Sequence, residues 1–513
     1  MRAPDHLYGS HWLRTAPPAD PAPPPEGPLD VDVAVVGGGV AGISTAWELA
    51  RRGRSVAVLE AGRLASGVTG HTTAKLSAQH TLIYDRLRRT RGPDAARLYA
   101  RSQTDAIRRA AGTATELGVD CEWEETAAST YAEDPGRIPE LRAEAAAAEE
   151  AGLPAEFVTD TELPFPVAGA VRVTGQAQFH PVKYLLALAD DIRRLGGAIH
   201  EHTRVTALSE GDPCVLTTAS GTGGTEVRAR NVVVATHYPV FDRALLFTRL
   251  SPRRELVVAA PVDPAAAPRG MYITPEQNTR SLRTAPLPDG GRLLIVTGEH
   301  FTPGTGEDVA ERFDRLAAWA TDRFGPLSFT HRWATQDNDP TDSVPLVGPL
   351  HPGARGVYVA TGFGGWGLAT GIMAGRLLCD LITGRACPWG ELYDPRRIAS
   401  VVREGTAFLK QQADAARHFV GDRLPSSGGP SSVDRIAPGD GAVVRVGGER
   451  RAVHRDDDGA LHAVSARCTH LGCLVSFNRT ERAWECPCHG SRFAPDGHVL
   501  QGPAVQPLEP RDL

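Results

Sequence analysis

The segment from residue 31 to residue 60 restricts the fold of this chain more than any other segment. It opens with a β-branched run that predicts a buried parallel strand. Three glycines follow in G-x-G-x-x-G spacing, and apolar residues then recur at helical spacing before a second short strand. A strand, a glycine turn, a helix and a strand in this order predict an α/β domain built on a parallel sheet.

The three glycines and a glutamate at the end of the second strand each suit one task in holding a dinucleotide. Gly37 permits the tight turn, Gly39 lets a pyrophosphate approach the backbone, and Gly42 lets the helix pack on the strand. The helix N-terminus offers free N–H groups and a positive dipole end to the phosphates. Glu60 ends the second strand, where a carboxylate can bind ribose hydroxyls. The pattern predicts a Rossmann-like dinucleotide site rather than a glycine turn without a ligand.

The residues after the second strand indicate which dinucleotide is bound. Small and hydroxyl-bearing residues at 66–73 suit a loop that wraps a larger cofactor. This stretch, with later stretches at 175–236 and 341–368, resembles the D-amino-acid-oxidase-like flavoprotein superfamily, which includes glycine oxidase, sarcosine oxidase and γ-glutamylputrescine oxidase. The resemblance covers roughly residues 30–390 and implies bound FAD. The residues that it implies at the FAD site are Gly37, Gly39, Val40, Ala41, Gly42, Glu60, Ala61, Ser66, His71, Thr72, Thr73, Val205, Gly362, Gly364, Gly365, Trp366, Gly367 and Leu368.

Two parts of this predicted FAD site each have two possible interpretations. In the resembled superfamily, the helix that begins near Gly367 points its N-terminus at the flavin, where it stabilises negative charge. The glycines of this segment would also allow tight packing of helix on sheet. His71 lies in a segment similar to that of dimethylglycine and sarcosine dehydrogenases, where a histidine bonds covalently to FAD. The flanking residues differ from the Trp-His found there, which favours a hydrogen-bonding histidine near the cofactor.

The middle of the chain predicts a substrate domain without a catalytic motif. Residues 83–165 are typical of charged helices, and residues 239–335 alternate short apolar runs with turns, as in an antiparallel sheet. In the resembled superfamily such insertions form a sheet that roofs the flavin, and the resemblance implies a small amine or amino-acid-like substrate. Since flavin supplies the chemistry, the lack of an acid–base pair is expected. Weak catalytic candidates are His71, His180 and Trp366, and further pocket candidates, each also explicable as core or surface, are His237, Tyr238, Tyr272 and Trp333.

A block of cysteines and histidines near the C-terminal end predicts a metal centre. Cys468 and His470 lie close together in the sequence, and Cys486 and His489 repeat the pairing. Two thiolates on one iron and two imidazoles on the other are the donors of a Rieske-type 2Fe–2S centre. A zinc ion held by two cysteines and two histidines is the alternative.

The surrounding sequence resembles the Rieske domain of respiratory and photosynthetic complexes over about residues 433–513. The resemblance implies that the four residues of the block ligate the cluster, that Cys473 and Cys488 form a disulfide, and that residues 502–504 form a covering proline loop. These additional features favour the cluster over zinc. The respiratory proteins carry a tyrosine in the second loop where this chain has Phe493. Losing that hydroxyl donor predicts a lower reduction potential within the Rieske range.

The predicted fold is an α/β, Rossmann-like FAD-binding domain with an inserted antiparallel-sheet substrate domain, followed by a small all-β domain. The predicted parts are a flexible lead-in at 1–29, an FAD-dependent oxidoreductase at 30–420 (FAD-binding parts at about 30–82, 166–238 and 336–390; substrate parts at about 83–165 and 239–335), a linker at 421–432 and the cluster domain at 433–513.

Charge and hydropathy argue against several classes of partner. A formal net charge of −6 is too small to indicate nucleic-acid binding. The apolar segment at 357–382 is a poor membrane span because glycines, Arg376 and Asp380 interrupt it. The lead-in has no apolar signal-peptide core. The sequence therefore predicts no stable membrane insertion and a cytoplasmic location.

These features together predict an FAD-dependent oxidoreductase whose Rieske cluster passes electrons to an external acceptor protein. The alternative is a flavoenzyme that receives electrons from a donor protein through the cluster, for a reductive or oxygen-dependent step in secondary metabolism. A Rieske non-haem oxygenase is disfavoured because the chain has no plausible Asp-x-x-His-x₄-His for a mononuclear iron. The two substrate-type insertions argue against a non-enzymatic electron carrier.

Overall fold

Two large β-sheets and a small all-β unit make up the protein. The computed structural model describes residues 9–219, 224–241, 243, 245–306, 308–397 and 433–513. This architecture confirms the predicted fold class. The predicted linker at 421–432 lies outside the described residues.

The helices and strands of the described residues are as follows. The α-helices are α1 (His11–Thr15), α2 (Val40–Ala50), α3 (Ile83–Arg91), α4 (Pro93–Glu116), α5 (Ile138–Glu150), α6 (Pro181–Arg194), α7 (Val309–Phe324), α8 (Gly367–Ile382) and α9 (Gly390–Tyr393). The first strands are β1 (Leu29–Val36), β2 (Val56–Leu59), β3 (Lys75–Leu76), β4 (Glu124–Ala132), β5 (Ala155–Val158), β6 (Gly169–Gln178), β7 (Ala198–His200), β8 (Val205–Ser209), β9 (Cys214–Thr218) and β10 (Glu226–Val234). The next are β11 (Leu250–Val262), β12 (Met271–Ile273), β13 (Ser281–Pro286), β14 (Arg292–Phe301), β15 (His331–Pro340), β16 (Leu346–Pro349) and β17 (Val357–Thr361). The last are β18 (Asp440–Val446), β19 (Glu449–Arg455), β20 (Leu461–Ser465), β21 (Ser476–Asn478), β22 (Ala483–Glu485), β23 (Arg492–Phe493) and β24 (Val499–Gln501).

The first sheet contains the predicted nucleotide-binding unit. Its strands run in the order β16-β17-β10-β1-β2-β7, with β9 paired to β10 and β8 to β9. β1 pairs in parallel with both β2 and β10, so three strands end side by side at one edge. Every residue of α2 is buried because this helix lies between the sheet and its neighbouring helices. The glycine turn after β1 therefore opens at the carboxyl edge of the sheet, where α/β folds bind ligands.

Close contact between α2 and α8 explains several glycines of the late apolar segment. A Cβ atom on Gly371 would lie 2.6 Å from Val40 Cγ1, and one on Gly375 would lie 2.7 Å from Ser44. These two positions serve helix packing, whereas Gly367 at the start of α8 faces a cavity described below. The packing explanation therefore holds at Gly371 and Gly375, and contact between Gly367 and the flavin stays a prediction.

The second sheet runs in the order β15-β11-β14-β13-β12-β4-β6-β3, with β5 attached to β6. It departs from the predicted boundaries in two ways. β6 pairs with β4 along its length, so the first residues of the part at 166–238 belong to this sheet. α4 packs against α8, so part of 83–165 belongs to the core of the nucleotide-binding domain. Both differences are long-range contacts that local composition does not encode.

The flexible lead-in predicted for residues 1–29 does not hold from residue 9 onward. Trp12 of α1 is 0% exposed, and its indole Nε1 donates a hydrogen bond to Thr72 O at 2.7 Å. Farther along, Ala22 N donates to Glu201 Oε2 at 2.7 Å. The proline-rich composition predicted flexibility, but the buried ring of Trp12 packs against His180 and the guanidinium of Arg283, which fixes the segment.

We expect Trp12→Ala to lower the free energy of unfolding by about 3–5 kcal/mol, because it removes a large buried aromatic side chain. We also expect weaker retention of a bound cofactor, since the indole holds the loop at Thr72. Thermal unfolding and cofactor content after gel filtration measure both effects. Leu195→Ala, at a half-exposed position, is the matched control and should change neither. An unchanged unfolding temperature in Trp12→Ala would contradict this account.

Apart from a 3-10 helix at Val433–Arg435, the regular structure of the C-terminal domain is all β in its described residues. It contains the sheet β18-β19-β20 and the sheet β21-β22-β23-β24. Its core is formed around Trp484, Phe493 and the four cysteines of the domain. Among the described residues of the whole chain, no helix combines the length and apolarity needed to cross a bilayer.

Candidate functional site

A cavity of about 1720 Å³ opens where β1, β2 and β10 end. Its wall includes Val36 and Leu59, the last residues of β1 and β2, together with Gly37 after β1 and Ala235 after β10. The volume exceeds the roughly 300–1,000 Å³ of most small-molecule sites, so a dinucleotide and a second ligand both have room.

Most of the predicted FAD residues meet at this cavity. Four of them do not line it, namely Gly42, Gly362, Gly364 and Trp366. A Cβ atom on Gly42 would lie 1.9 Å from Gly37 O, so this glycine serves the helix–strand contact. Gly362 and Gly364 have positive φ angles of 71° and 57° and set the turn before α8. The predicted residues that line the cavity are Gly37, Gly39, Val40, Ala41, Glu60, Ala61, Ser66, His71, Thr72, Thr73, Val205, Gly365, Gly367 and Leu368.

The N-terminus of α2 is built to receive phosphate. Gly39 caps the helix without any side-chain hydrogen bond, and Gly37 adopts a φ of 110° that suits the turn. Val40 N donates to Thr69 Oγ1 at 3.1 Å, so the other N–H groups of the first turn and the positive end of the helix dipole are left for a ligand. This end of the cavity fits the pyrophosphate of a dinucleotide.

Glu60 closes the end of the cavity next to the second strand. Its carboxylate accepts hydrogen bonds from Gly38 N at 2.6 Å and from Gly62 N at 2.7 Å. Burial raises the pKa of Glu60, and the two N–H donors oppose this rise. A carboxylate oxygen accepts more than one hydrogen bond, so Glu60 can also receive ribose hydroxyls.

Asp337 of β15 also lines the cavity and holds the turn before α8. It accepts a hydrogen bond from Gly365 N at 2.5 Å and lies 3.6 Å from His237 Nε2. Burial would raise the pKa of Asp337, but the nearby His237 and hydrogen bonds from the backbone N–H groups of Asn338 and Gly365 outweigh it and lower that pKa. The sequence singled out His237 but held no signal for Asp337, because the middle of a strand meets the turn before α8 only in the folded chain.

The three weak catalytic candidates have different positions. His71 lines the cavity, and its Nδ1 lies 2.8 Å from Gly67 O. His180 is fully buried as the N-cap of α6, where its Nδ1 accepts from Lys183 N at 3.3 Å. Trp366 stacks on His80 with ring centroids 4.4 Å apart. Only His71 is therefore placed to contact a ligand in the cavity.

The remaining pocket candidates also lie in different parts of the structure. Trp333 and His237 line the cavity. Tyr272 is buried in the core beneath the second sheet, where its hydroxyl donates to Arg269 O at 2.7 Å. Tyr238 faces the C-terminal domain, as described below.

Two loops of the C-terminal domain bring the predicted metal ligands together. The thiol of Cys486 hydrogen-bonds to Cys468 and lowers the pKa of Cys468 to about 7. The imidazole centroids of His470 and His489 are 4.9 Å apart. Burial lowers the pKa values of these histidines to about 4 and about 3, which keeps both rings neutral as metal ligands must be. His489 Nδ1 is buried without a hydrogen-bond partner, so a ring nitrogen is free for a metal.

The disulfide predicted from the family resemblance is confirmed. Cys473 and Cys488 are bonded, which joins the two loops and leaves Cys468 and Cys486 as the free thiols of this domain. Ser491 hydrogen-bonds to the Cys468 thiol, so a hydroxyl donor reaches the sulfur of a predicted cluster ligand. This donor set of two thiols and two neutral imidazoles fits a Rieske-type 2Fe–2S cluster.

We expect Phe493→Tyr to raise the reduction potential by some tens of millivolts, within a range of about −150 to +300 mV. Phe493 is fully buried in the same core as Cys468 and Cys486, so a hydroxyl there would add a donor close to the cluster. A redox titration followed by electron paramagnetic resonance (EPR) measures the shift. Phe477→Tyr, in the same domain, is the control and should leave the potential unchanged. Equal potentials in wild type and Phe493→Tyr would contradict the prediction.

The C-terminal domain covers the cavity and supplies part of its wall. Asn478, Glu481, Arg492 and Gln501 line the same cavity as the nucleotide-binding residues. Arg254 of β11 is 1% exposed and forms an ion pair with Glu481. No sequence pattern pointed to this arrangement, because the pairs join residues more than two hundred positions apart in the chain.

The metal-ligand loops meet the larger domain directly. The ring of His489 lies 5.4 Å from Phe247 and 6.0 Å from Tyr238, measured between centroids. Gln336 Nε2 donates a hydrogen bond to Gly490 O at 3.1 Å. The second ligand loop therefore packs on the domain that carries the cavity.

Two protein-family models match the chain, one over each of its two main parts. The family model described as FAD dependent oxidoreductase matches residues 32–381. The chain belongs to this family. A model described as Rieske [2Fe-2S] domain matches residues 431–510. The predictions of FAD and of a Rieske 2Fe–2S cluster are thereby confirmed, and the C-terminal domain is a Rieske domain rather than a zinc module.

Known relatives match either nearly the whole chain or most of it. A putative Rieske 2Fe-2S iron-sulfur protein, YhfW of Bacillus subtilis, is 34% identical over 94% of each chain. Gamma-glutamylputrescine oxidoreductase of Escherichia coli is 24% identical, covering 70% of this chain and 85% of its own. The crystal structure of glycine oxidase from Geobacillus kaustophilus matches with a TM-score of 0.61 at 22% identity, covering 72% of this chain and 99% of that chain. The last match shows the fold of the FAD-dependent oxidoreductase part.

Proposed function

We propose that the protein oxidises a small amine or amino acid at FAD and that the electrons leave through the Rieske cluster to an external acceptor protein. The observation that supports this most is the contact of His489, a cluster ligand, with Phe247 and Tyr238 of the FAD-dependent oxidoreductase part. The substrate class is supported by the names of two similar proteins, gamma-glutamylputrescine oxidoreductase and glycine oxidase.

The residues of the chain would bind and orient the cofactors and substrate. Bound FAD supplies hydride acceptance from the substrate carbon, and the cluster supplies uptake of single electrons. The N-terminus of α2 would hold the pyrophosphate, and Glu60 would bind a ribose. The N-terminus of α8 would stabilise negative charge beside it, with Asp337 fixing the preceding turn through Gly365 N.

The cavity wall carries charges of both signs, which suits the ammonium and carboxylate groups of an amino acid. Glu255 and Asp337 line the cavity together with arginines such as Arg332, and Glu255 lies 3.3 Å from Arg253. The Rieske domain covers part of the opening through Asn478 and Glu481. Such a cover would limit the access of solvent to the reacting atoms.

Anaerobic mixing of the purified holoenzyme with a panel of primary amines, secondary amines and amino acids tests the proposal. A substrate should bleach the flavin absorbance, and the EPR signal of the reduced cluster should follow without an added reductant. Steady-state assays with a one-electron dye should then be faster than assays with dioxygen, because the cluster is the proposed outlet.

Two results would contradict the proposal. Flavin bleaching without cluster reduction would argue against an internal outlet. Flavin oxidation driven by a reduced cluster, with no reduction by any amine, would favour the alternative direction, in which the cluster supplies the flavin. The cytoplasmic location stays a prediction from the sequence.

A further inference from the structure

We propose that the adjacent residues His237 and Tyr238 form the electron link between the FAD cavity and the Rieske cluster, with Tyr238 as the residue that positions the contact. This inference rests on the proposed function, because it needs electrons to pass between the two cofactors. It goes beyond that function by assigning the route to two side chains of one short segment after β10.

His237 belongs to the FAD side of the link. It lines the cavity, and its ring lies beside Asn338 Nδ2 at 3.2 Å and Asp337 at 3.6 Å. Asp337 in turn accepts from Gly365 N in the turn before α8. The carbonyl of His237 accepts from the Thr361 hydroxyl at 2.6 Å. The residue is thus fixed by the same strands that carry the FAD-binding turn.

Tyr238 belongs to the cluster side. Its ring is almost fully buried, and its centroid lies 6.0 Å from that of His489 and 6.5 Å from that of His470. Its carbonyl accepts from the Thr236 hydroxyl at 2.7 Å. Tyr238 therefore contacts both cluster imidazoles while being covalently bonded to a residue of the FAD cavity.

The backbone at this point supports a functional assignment. His237 adopts a φ of 66°, a left-handed conformation that is uncommon for residues other than glycine. Such a conformation is unfavourable and persists only when surrounding contacts enforce it. Here it allows two consecutive side chains to reach two different cofactor sites.

The electron balance of the step is simple. In each transfer, one electron leaves the reduced flavin and one ferric ion of the cluster becomes ferrous. No bond of His237 or Tyr238 forms or breaks. Two transfers, separated by reoxidation of the cluster by the external acceptor, return a two-electron-reduced flavin to its oxidised form and release its protons to solvent.

Flash photolysis of the holoenzyme measures this transfer without a known substrate. A photoexcited 5-deazariboflavin with EDTA injects one electron per protein, and the exchange between flavin and cluster appears as a phase independent of protein concentration. We expect Tyr238→Leu to slow this phase roughly tenfold, equivalent to about 1.4 kcal/mol in the barrier. Tyr238→Phe keeps the ring and should retain the wild-type rate.

Phe247→Leu is the matched control, because Phe247 also contacts His489 but is not bonded to a residue of the FAD cavity. Its phase should keep the wild-type rate. The EPR signature and the reduction potentials of both cofactors should be unchanged in Tyr238→Leu, which separates a lost link from a distorted cluster. If Tyr238→Leu does not fold, Tyr238→Met provides the same test.

A wild-type rate in Tyr238→Leu, or slowing accompanied by a changed cluster signature, would overturn the link and leave the proposed function intact. Equal slowing in Phe247→Leu would overturn it too. Wild-type protein without any concentration-independent phase would instead contradict the proposed function itself.

Discussion

Cys468→Ser is expected to abolish the Rieske cluster while leaving FAD bound. Cys468 is one of two free thiols in the C-terminal domain, and it lies beside Cys486 and the two neutral imidazoles. Loss of one of two thiolate ligands leaves an iron without its coordination, and metal binding depends on the full ligand set. Iron and sulfide content and the EPR signal of the reduced protein should fall to background. Turnover with a one-electron acceptor should fall with them.

A matched cysteine distinguishes ligand loss from a general effect of removing a buried thiol. Cys121 is fully buried in the core of the FAD-dependent oxidoreductase part, where burial raises the pKa of its thiol to about 11. Cys121→Ser should keep both cofactors. Retained cluster absorbance in Cys468→Ser would contradict the ligand assignment. Loss of FAD in that variant would show that the cluster is also needed to hold the FAD site together.

The parts of the two sites that are close in sequence could be predicted well. The glycine turn, Glu60 and the loop after it depend on local geometry, since one strand, one turn and one helix place them. The same holds for the ligand pairs at 468–470 and 486–489. In each case the chemistry requires given residue types at short spacing, so the sequence alone carries the information.

The parts that could not be predicted arise from contacts between distant segments. Asp337 meets Gly365 because β15 crosses the turn before α8, and Arg254 meets Glu481 because two domains dock. His180 was a plausible catalytic histidine until the fold placed it as a helix cap. Trp12 lies in a proline-rich segment whose composition predicts flexibility, yet the cavity loop provides a buried site for its ring. Each outcome depends on tertiary contacts that override local composition.

The contact between the Rieske domain and the rest of the protein depends on a buried group of four charges. Arg254 pairs with Glu481 and lies 3.7 Å from Glu485, and Arg492 lies 3.1 Å from each of the two glutamates. Burial would raise the pKa of Glu481, but Arg254 and Arg492 outweigh it and lower that pKa, so the carboxylate stays ionised. Two positive and two negative charges balance only while Arg254 is present.

Arg254→Met is therefore expected to lower the free energy of unfolding by about 3–5 kcal/mol, because it leaves two buried carboxylates with one partner. Denaturant unfolding of the holoenzyme measures the loss. Arg482→Met is the control, since Arg482 pairs with Asp457 at 2.7 Å on the surface and exposed pairs contribute about 0–1 kcal/mol. The double variant Arg254→Met with Glu481→Met should recover part of the loss by restoring the charge balance. Equal effects of Arg254→Met and Arg482→Met would mean that the buried charges do not hold the domains together.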